Sequence, residues 1–176
     1  FPNENKPYSN YEIKNTDKVK IYHIGGLVTT SNFIGLMDYI KNVQLKLNDR
    51  YKNKFELNII GSSFLAKKEL IDNLKSAKAI MHGFQYDLSD ILVPFDLNII
   101  PYNYQTGLRS KIPLLFKYSQ VVITTEAAVI GMPELQNKKN CIILKDVKQF
   151  NDTIIELSND SDLRKYIGNN ARKTFE

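Results

Sequence analysis

The segment from Tyr104 to Lys111, with the sequence YQTGLRSK, combines residue types that bind phosphate groups. Thr106 and Gly107 can present backbone N–H groups, and Arg109 and Lys111 place two cations at the start of a predicted helix. Backbone N–H groups and fixed cations together hold a diphosphate and stabilise the negative charge of a departing group. A capped helix with two exposed cations would have the same sequence, so this segment alone leaves both interpretations open.

Two glycine-containing turns follow predicted strands. Gly25 and Gly26 come directly after the first strand, where glycine either allows a close backbone approach to an anion or simply makes the turn. The G-x-G-x-x-G spacing of dinucleotide-binding loops is absent there. His82, Gly83 and Phe84 follow the third strand, and they either border a nucleobase or form a turn with Phe84 in the core.

Other kinds of active site find little support in the sequence. No His, Asp and Glu residues have the spacing of metal ligands, and no serine lies in a G-x-S-x-G turn, so we expect no metal and no cofactor. His23 lies inside a predicted strand and is expected in or near the core. Cys141, the single cysteine, is expected to be buried and unreactive. Glu126 follows the fifth strand, and its role stays open.

Strands and helices alternate along the chain. Short apolar segments predict six strands: Val19–Ile24, Phe55–Ile60, Ala79–His82, Leu97–Ile100, Val121–Thr125 and Cys141–Leu144. Helical spacing predicts helices over Asn32–Asn48, Leu65–Leu74, Arg109–Lys117, Val147–Leu157 and Ser161–Phe175, with one or two helical turns over Leu88–Val93. This alternation predicts an α/β fold, a doubly wound, Rossmann-like parallel sheet with helices on both faces. Ligands of such folds bind beyond the carboxyl ends of the strands.

The composition is typical of one globular domain. The 176 residues are 43% hydrophobic and 24% charged, which excludes disordered and disulfide-rich classes of protein. Residues 1–17 are predicted to form an interdomain linker, because they contain Pro2, Pro7 and many asparagines. The folded domain is expected over residues 18–176. The net charge of +5 comes from scattered residues without interleaved aromatics, so no nucleic-acid partner is expected.

Taken in order, these segments resemble the C-terminal, donor-binding domain of the group 1 (family 4-like) glycosyltransferases. Enzymes of that family have the GT-B fold, which consists of two Rossmann-like halves. The resemblance runs along most of the chain and is carried by the segments FPN (1–3), KIYHIGGL (20–27), LNIIGS (57–62), IMHGF (80–84), FDLNIIPY (95–102), TGLRSK (106–111), VVITT (121–125) and LRKYIGNNAR (163–172).

The resemblance implies an enzyme, a hexosyltransferase that uses a nucleotide diphosphate sugar as donor. The acceptor would be a saccharide or a lipid-linked molecule, in the synthesis of surface polysaccharide or other glycoconjugates. This chain would be the donor half of one GT-B enzyme and inactive alone, because the acceptor site would lie on a missing N-terminal domain. The implied location is the cytoplasm, with peripheral association of the full-length protein with the inner face of the membrane.

The resemblance also implies roles for individual residues. The diphosphate would contact six residues, Gly25, Gly26, Gly107, Leu108, Arg109 and Lys111. The nucleobase would be bordered by Gly83 and Phe84, and the donor sugar would be faced by Tyr102, Gln105 and Thr106.

The sequence departs from the family pattern at a pair of glutamates. When the motif is anchored on Gly107 and Lys111, the two positions of the family's E-x7-E motif fall on Thr106 and Leu114. The second glutamate usually holds the donor ribose, and the carboxylate is absent here. An alternative is therefore a degenerate, non-catalytic GT-B domain that serves as a binding or structural module.

Overall fold

The centre of the fold is a parallel sheet of six strands in the order β3-β2-β1-β4-β5-β6. The structure is a computed structural model that describes residues 18–52, 54–105 and 110–176. The strands are β1 (Val19–Ile24), β2 (Phe55–Ile60), β3 (Ile80–Gly83), β4 (Leu97–Ile100), β5 (Val121–Thr125) and β6 (Ile142–Leu144). The strand order reverses between β1 and β4, and a crevice for ligands is expected at their carboxyl ends. The predicted doubly wound, Rossmann-like α/β fold is confirmed.

In the described residues, helices lie between the strands and after the last strand. They are α1 (Thr30–Tyr39), α2 (Leu45–Tyr51), α3 (Lys68–Ser76), α4 (Lys111–Lys117), α5 (Phe150–Asn159) and α6 (Ser161–Phe175). A π-helical segment, Ile40–Gln44, joins α1 to α2, so residues 30–51 form one helical run along the sheet. None of these helices has the length and apolar character needed to cross a membrane.

The sheet is buried on both faces, as expected for parallel strands covered by helices. In β1, the side chain of Ile21 packs into a core under α1, α2, α3 and α5, whereas the neighbouring Tyr22 packs into a second core under α4. Helix α6 contributes Ile167 to the first core and Ala171 to the second. Because both faces are covered, the carboxyl and amino edges of the sheet are the places where ligands could approach the strands.

Several element boundaries differ from the sequence predictions by a few residues. The helix predicted from Leu65 begins at Lys68, because Leu65 has a left-handed backbone (φ 60°) that cannot continue into a helix. Residues 88–93 form one hydrogen-bonded turn, from Leu92 N–H to Leu88 O at 2.8 Å. Pro113 is the third residue of α4, where its missing N–H is tolerated.

Candidate functional site

Three glycines lie side by side at the carboxyl edge, one at or just after the end of each of β1, β2 and β3. Gly61 N–H donates to Gly83 O at 2.8 Å, and a Cβ at Gly61 would collide with the Gly25 carbonyl. Gly25 has φ 139°, and a Cβ there would lie 2.7 Å from Asn32 Nδ2. The backbone turns therefore pack against each other and against side chains at distances that only glycine permits.

Lys111 extends from the start of α4 to the turn that follows β1. Its ammonium lies 3.0 Å from the point where a Cβ of Gly25 would be. It donates to Tyr102 Oη at 2.6 Å and to Asn32 Oδ1 at 3.1 Å, and it lies over the Tyr102 ring at 5.1 Å from the centroid. A cation is thus held against the glycine turn at the point where the strand order reverses.

Asn32 connects the parts of this cluster. It belongs to the first turn of α1, and only 4% of its surface is exposed. Its Nδ2 donates to Gly26 O at 2.6 Å, while its Oδ1 accepts from both Tyr102 Oη and Lys111 Nζ. Both polar atoms of one buried amide are therefore used, and they join the β1 turn to the loop after β4 and to α4.

His23 lies in β1 below this cluster and is fully buried. Its Nδ1 lies 3.3 Å from Ile99 O, and the Asn32 side chain lies beside the imidazole. Burial, and secondly the charge of Lys111, lower the pKa of His23 to about 3. The imidazole is therefore neutral near pH 7, which confirms the predicted core position of this histidine.

The described residues place one cation, the Lys111 ammonium, against the Gly25 turn at this edge. Across the described ranges, no three His, Cys, Asp or Glu side chains are grouped as a metal site. Glu126 begins a short 3₁₀ turn after β5 and is exposed. Cys141 is buried at the start of β6, and burial raises the pKa of its thiol to about 12, as expected for an unreactive cysteine.

The comparisons with known proteins concern the fold. No family model and no curated protein sequence matches the chain. Among solved structures, a glycosyltransferase from Rickettsia africae ESF-5 is 15% identical with a TM-score of 0.70, over 91% of this chain and 43% of that chain. The C-terminal domain of LpcC, a group 1 glycosyl transferase from Francisella tularensis, is 19% identical with a TM-score of 0.65, over 88% of this chain and 83% of that domain.

HepE from Anabaena, solved in complex with UDP-glucose, is 13% identical with a TM-score of 0.70, over 90% of this chain and 44% of that chain. The chain has the fold of a C-terminal GT-B domain. At these identities the likeness establishes the fold. The chain also spans less than half the length of the Rickettsia and Anabaena glycosyltransferases that it matches.

The structure brings together four of the residues predicted for the diphosphate and sugar sites of this GT-B domain. Gly25, Gly26, Lys111 and Tyr102 all lie around Asn32. The remaining predicted diphosphate residues, and Thr106, lie outside the described residues, since they belong to the segment 106–109.

Two of the predicted site residues make contacts within the protein. Gly25 N–H donates to Ile60 O at 2.8 Å, so its amide is committed to the sheet and Gly25 serves close packing instead. Tyr102 was expected to face the donor sugar, but only 2% of its surface is exposed and its hydroxyl contacts Asn32 and Lys111. The short polar loop after β4 folds inward because Thr125 Oγ1 donates to Tyr102 O.

The residues predicted for the nucleobase lie at the end of β3. Gly83 has φ 70° with nothing within 4 Å of a Cβ, and Phe84 is 63% exposed, so Phe84 is not in the core. Tyr86, 98% exposed, meets Phe84 edge to face at 4.9 Å between ring centroids. Gln105 is also exposed. These positions are accessible, and their roles stay predictions.

Sequence reasoning missed Asn32. The signal was present, because Asn32 lies four residues before Leu36 on the helix face that carries Ile40 and Val43. A polar residue on the buried face of a helix that follows a glycine turn indicates a satisfied buried amide. Gly35 was missed as well, and a Cβ there would lie 2.5 Å from Pro101 O.

Proposed function

We propose that this chain is the donor-binding half of a glycosyltransferase, and that the crevice between β1 and β4 binds the diphosphate of a nucleotide diphosphate sugar. The observation that carries the proposal is the position of the Lys111 ammonium against the Gly25 turn at the reversal of strand order. A diphosphate needs positive charge and a backbone contact at the same point; Lys111 would supply the charge, and Gly26 would supply the backbone contact.

The role of Lys111 in the transfer follows from where charge develops. When the bond between the anomeric carbon and the diphosphate oxygen breaks, negative charge accumulates on the leaving nucleoside diphosphate. A fixed ammonium stabilises that charge more than the charge of the bound donor. Arg109, with the amides of Gly107 and Leu108, would complete the diphosphate site from the segment that precedes α4.

The rest of the donor would extend along the carboxyl edge. Gly83 and the exposed Phe84 would border the nucleobase, because an aromatic ring at a strand end can stack on a base. Gln105 and Thr106 would face the donor sugar. The HepE structure with UDP-glucose, which has the same fold, supports a nucleotide sugar as the ligand class.

The reaction that we propose is hexosyl transfer to a saccharide or lipid-linked acceptor in the synthesis of surface polysaccharide or glycoconjugates. The acceptor would be bound by an N-terminal domain, and this chain alone would bind nucleotide weakly without catalysis. A cytoplasmic location, with the full-length protein associated with the inner face of the membrane, stays a prediction.

A thermal-shift screen tests the ligand class directly. UDP, GDP, ADP and CMP, each at millimolar concentration, would be compared with their sugar conjugates. One nucleoside diphosphate should raise the melting temperature, because a ligand that binds only the folded state stabilises it. Failure of every nucleotide to bind would support the alternative of a non-catalytic GT-B module.

The substitution Lys111→Ala tests the diphosphate site. We expect the affinity for the stabilising nucleoside diphosphate to fall about 5- to 150-fold, corresponding to about 1–3 kcal/mol for one charged hydrogen bond. The matched control is Lys117→Ala, which removes a cation from the opposite end of the same helix. Isothermal titration should give unchanged affinity for the control, and equal losses in both variants would contradict the proposal.

A further inference from the structure

The Asn32 side chain contacts both the glycine turn and the lysine of the candidate diphosphate site. Asn32 Nδ2 donates to Gly26 O at 2.6 Å, and Asn32 Oδ1 accepts from Lys111 Nζ at 3.1 Å. Asn32 and Lys111 are 79 residues apart in the sequence. Asn32 is itself fixed, since it is 4% exposed and belongs to the first turn of α1.

The Lys111 side chain is flexible, so hydrogen bonds are needed to order its ammonium. A lysine side chain has four rotatable bonds and costs up to about 2 kcal/mol of rotamer entropy when it is ordered. The Asn32 carbonyl and the Tyr102 hydroxyl both accept from its ammonium, so Lys111 is ordered before any ligand arrives. Preorganisation of this kind lowers the cost of binding.

The glycine turn is fixed by the same side chain. The bond from Asn32 to Gly26 O orients the peptide that joins Gly26 to Leu27, and the N–H of that peptide donates to Ser62 O at 2.9 Å. The peptide is therefore held at both its carbonyl and its amide. A diphosphate entering the crevice would meet a turn whose shape is already set.

We infer that Asn32 is the positioning residue of the diphosphate site, and that it holds the Lys111 ammonium and the Gly25–Gly26 turn in their binding arrangement. The inference rests on the proposed function, which supplies the diphosphate. It assigns to Asn32 an effect on the diphosphate part of the ligand and none on the nucleoside part.

The experiment compares the nucleoside diphosphate with its own nucleoside on the full 176-residue chain. The pairs are UDP with uridine, GDP with guanosine, and ADP with adenosine, measured by ligand-observed NMR so that millimolar affinities are accessible. In Asn32→Asp, a carboxylate replaces the amide beside Lys111, so it neutralises the ammonium and repels the incoming phosphates. The affinity for the diphosphate should fall at least tenfold, while the affinity for the nucleoside changes less than twofold.

Two further variants show whether misfolding or the added charge alone could explain a loss of diphosphate affinity. Tyr102→Phe keeps the ring but removes the hydroxyl that contacts Asn32 and Lys111, and it should weaken diphosphate binding three- to tenfold. Asn48→Asp introduces the same charge in the same helical run, at the amide that donates to Ala77 O, and should leave the ratio of the two affinities unchanged.

The outcomes separate the inference from the proposed function. If the wild-type chain binds a nucleoside diphosphate and Asn32→Asp and Tyr102→Phe bind it equally well, the inference is wrong and the proposed function stands. Equal losses for the diphosphate and the nucleoside would assign Asn32 a general structural role and overturn the inference. If the wild-type chain binds no nucleoside diphosphate, the proposed function fails and the inference fails with it.

Discussion

The two edges of the sheet both contain buried amides from the same helical run, but they use them differently. At the carboxyl edge, Asn32 contacts a cation, a hydroxyl and the carbonyl of a glycine turn. At the amino edge, Gln44 accepts from Tyr39 Oη and donates to Phe55 O and Asn48 Oδ1, each at 2.9 Å. The amino-edge contacts join a helix to a strand.

The π-helical segment explains how one helical run reaches both edges. A π turn contains an extra residue per turn, so it shifts the side chains that follow it around the helix axis. Gln44 ends that segment, and its amide reaches the start of β2. The two amides therefore differ in their partners, since both side chains are buried and both use their nitrogen and their oxygen in hydrogen bonds.

The largest expected effect comes from placing a carboxylate at each amide. Gln44→Glu would put a charge opposite two acceptor oxygens, those of Phe55 and Asn48, and should lower the free energy of unfolding by about 3–5 kcal/mol. Asn32→Asp should cost about 1–2 kcal/mol, because Lys111 offsets the buried charge. Urea unfolding at pH 8 measures both, and equal losses would remove the distinction between the edges.

A smaller effect is expected from adding one methyl group at each edge. Gly35 lies against Pro101 at the carboxyl edge, and Gly168 of α6 lies against Ser119 at the amino edge, with the carbonyl 2.5 Å from a Cβ in both cases. Alanine at either position should destabilise the fold by about 1–3 kcal/mol. Only Gly35→Ala should also weaken nucleotide binding, because its Cβ would meet the Tyr102 ring at 2.9 Å.

The matched measurement for these two variants is titration with the stabilising nucleoside diphosphate at a temperature where both are fully folded. Wild-type affinity in Gly168→Ala and reduced affinity in Gly35→Ala would sharpen the contrast between the edges. Reduced affinity in Gly168→Ala would show that packing at the amino edge also shapes the site.

The dependence of stability on pH has opposite signs at the two edges. Burial raises the pKa of Asp96, just before β4, to about 7, and burial lowers the pKa of His23 to about 3. The folded state therefore keeps a proton on Asp96 that the unfolded state releases above pH 4, and stability falls as the pH rises to about 7. The folded state excludes the proton that unfolded His23 gains below pH 6.5, so stability also falls as the pH decreases from there towards 3.

The substitution Asp96→Asn separates these two slopes. It should raise the free energy of unfolding at pH 8 by about 1–4 kcal/mol, because no charge then has to be buried at the amino edge. The loss of stability below pH 6.5 should persist, since His23 is unchanged. Chemical denaturation at pH 5, 6.5 and 8 measures both, and an unaltered slope between pH 5 and 8 would show that Asp96 is ionised in the folded state.

Much of the fold could be predicted from the sequence because the relevant signals are local. Strand β1 is a largely apolar segment that is followed by Gly25, and its bounds agree with the prediction. The bounds of β5 and α6 also agree with the prediction. The start of α3 could not be predicted in this way. Leu65 has a left-handed backbone, and a leucine gives no sequence signal for that conformation, whereas a glycine would. The prediction of one or two helical turns over residues 88–93 agrees with the single turn that residues 88–92 form.

By itself, the sequence determined the order of strands and helices, the glycine turn after β1 and the presence of a lysine at the start of α4. These properties depend on residue type and on the spacing of near neighbours. Only the tertiary structure decided that Lys111 contacts Asn32 and that Tyr102 is buried beside them. It also decided that Gly25 packs against the side chains of Asn32 and Lys111. The physical reason is that parallel strands bring the ends of distant segments to one edge, and no local pattern encodes which side chains then come into contact.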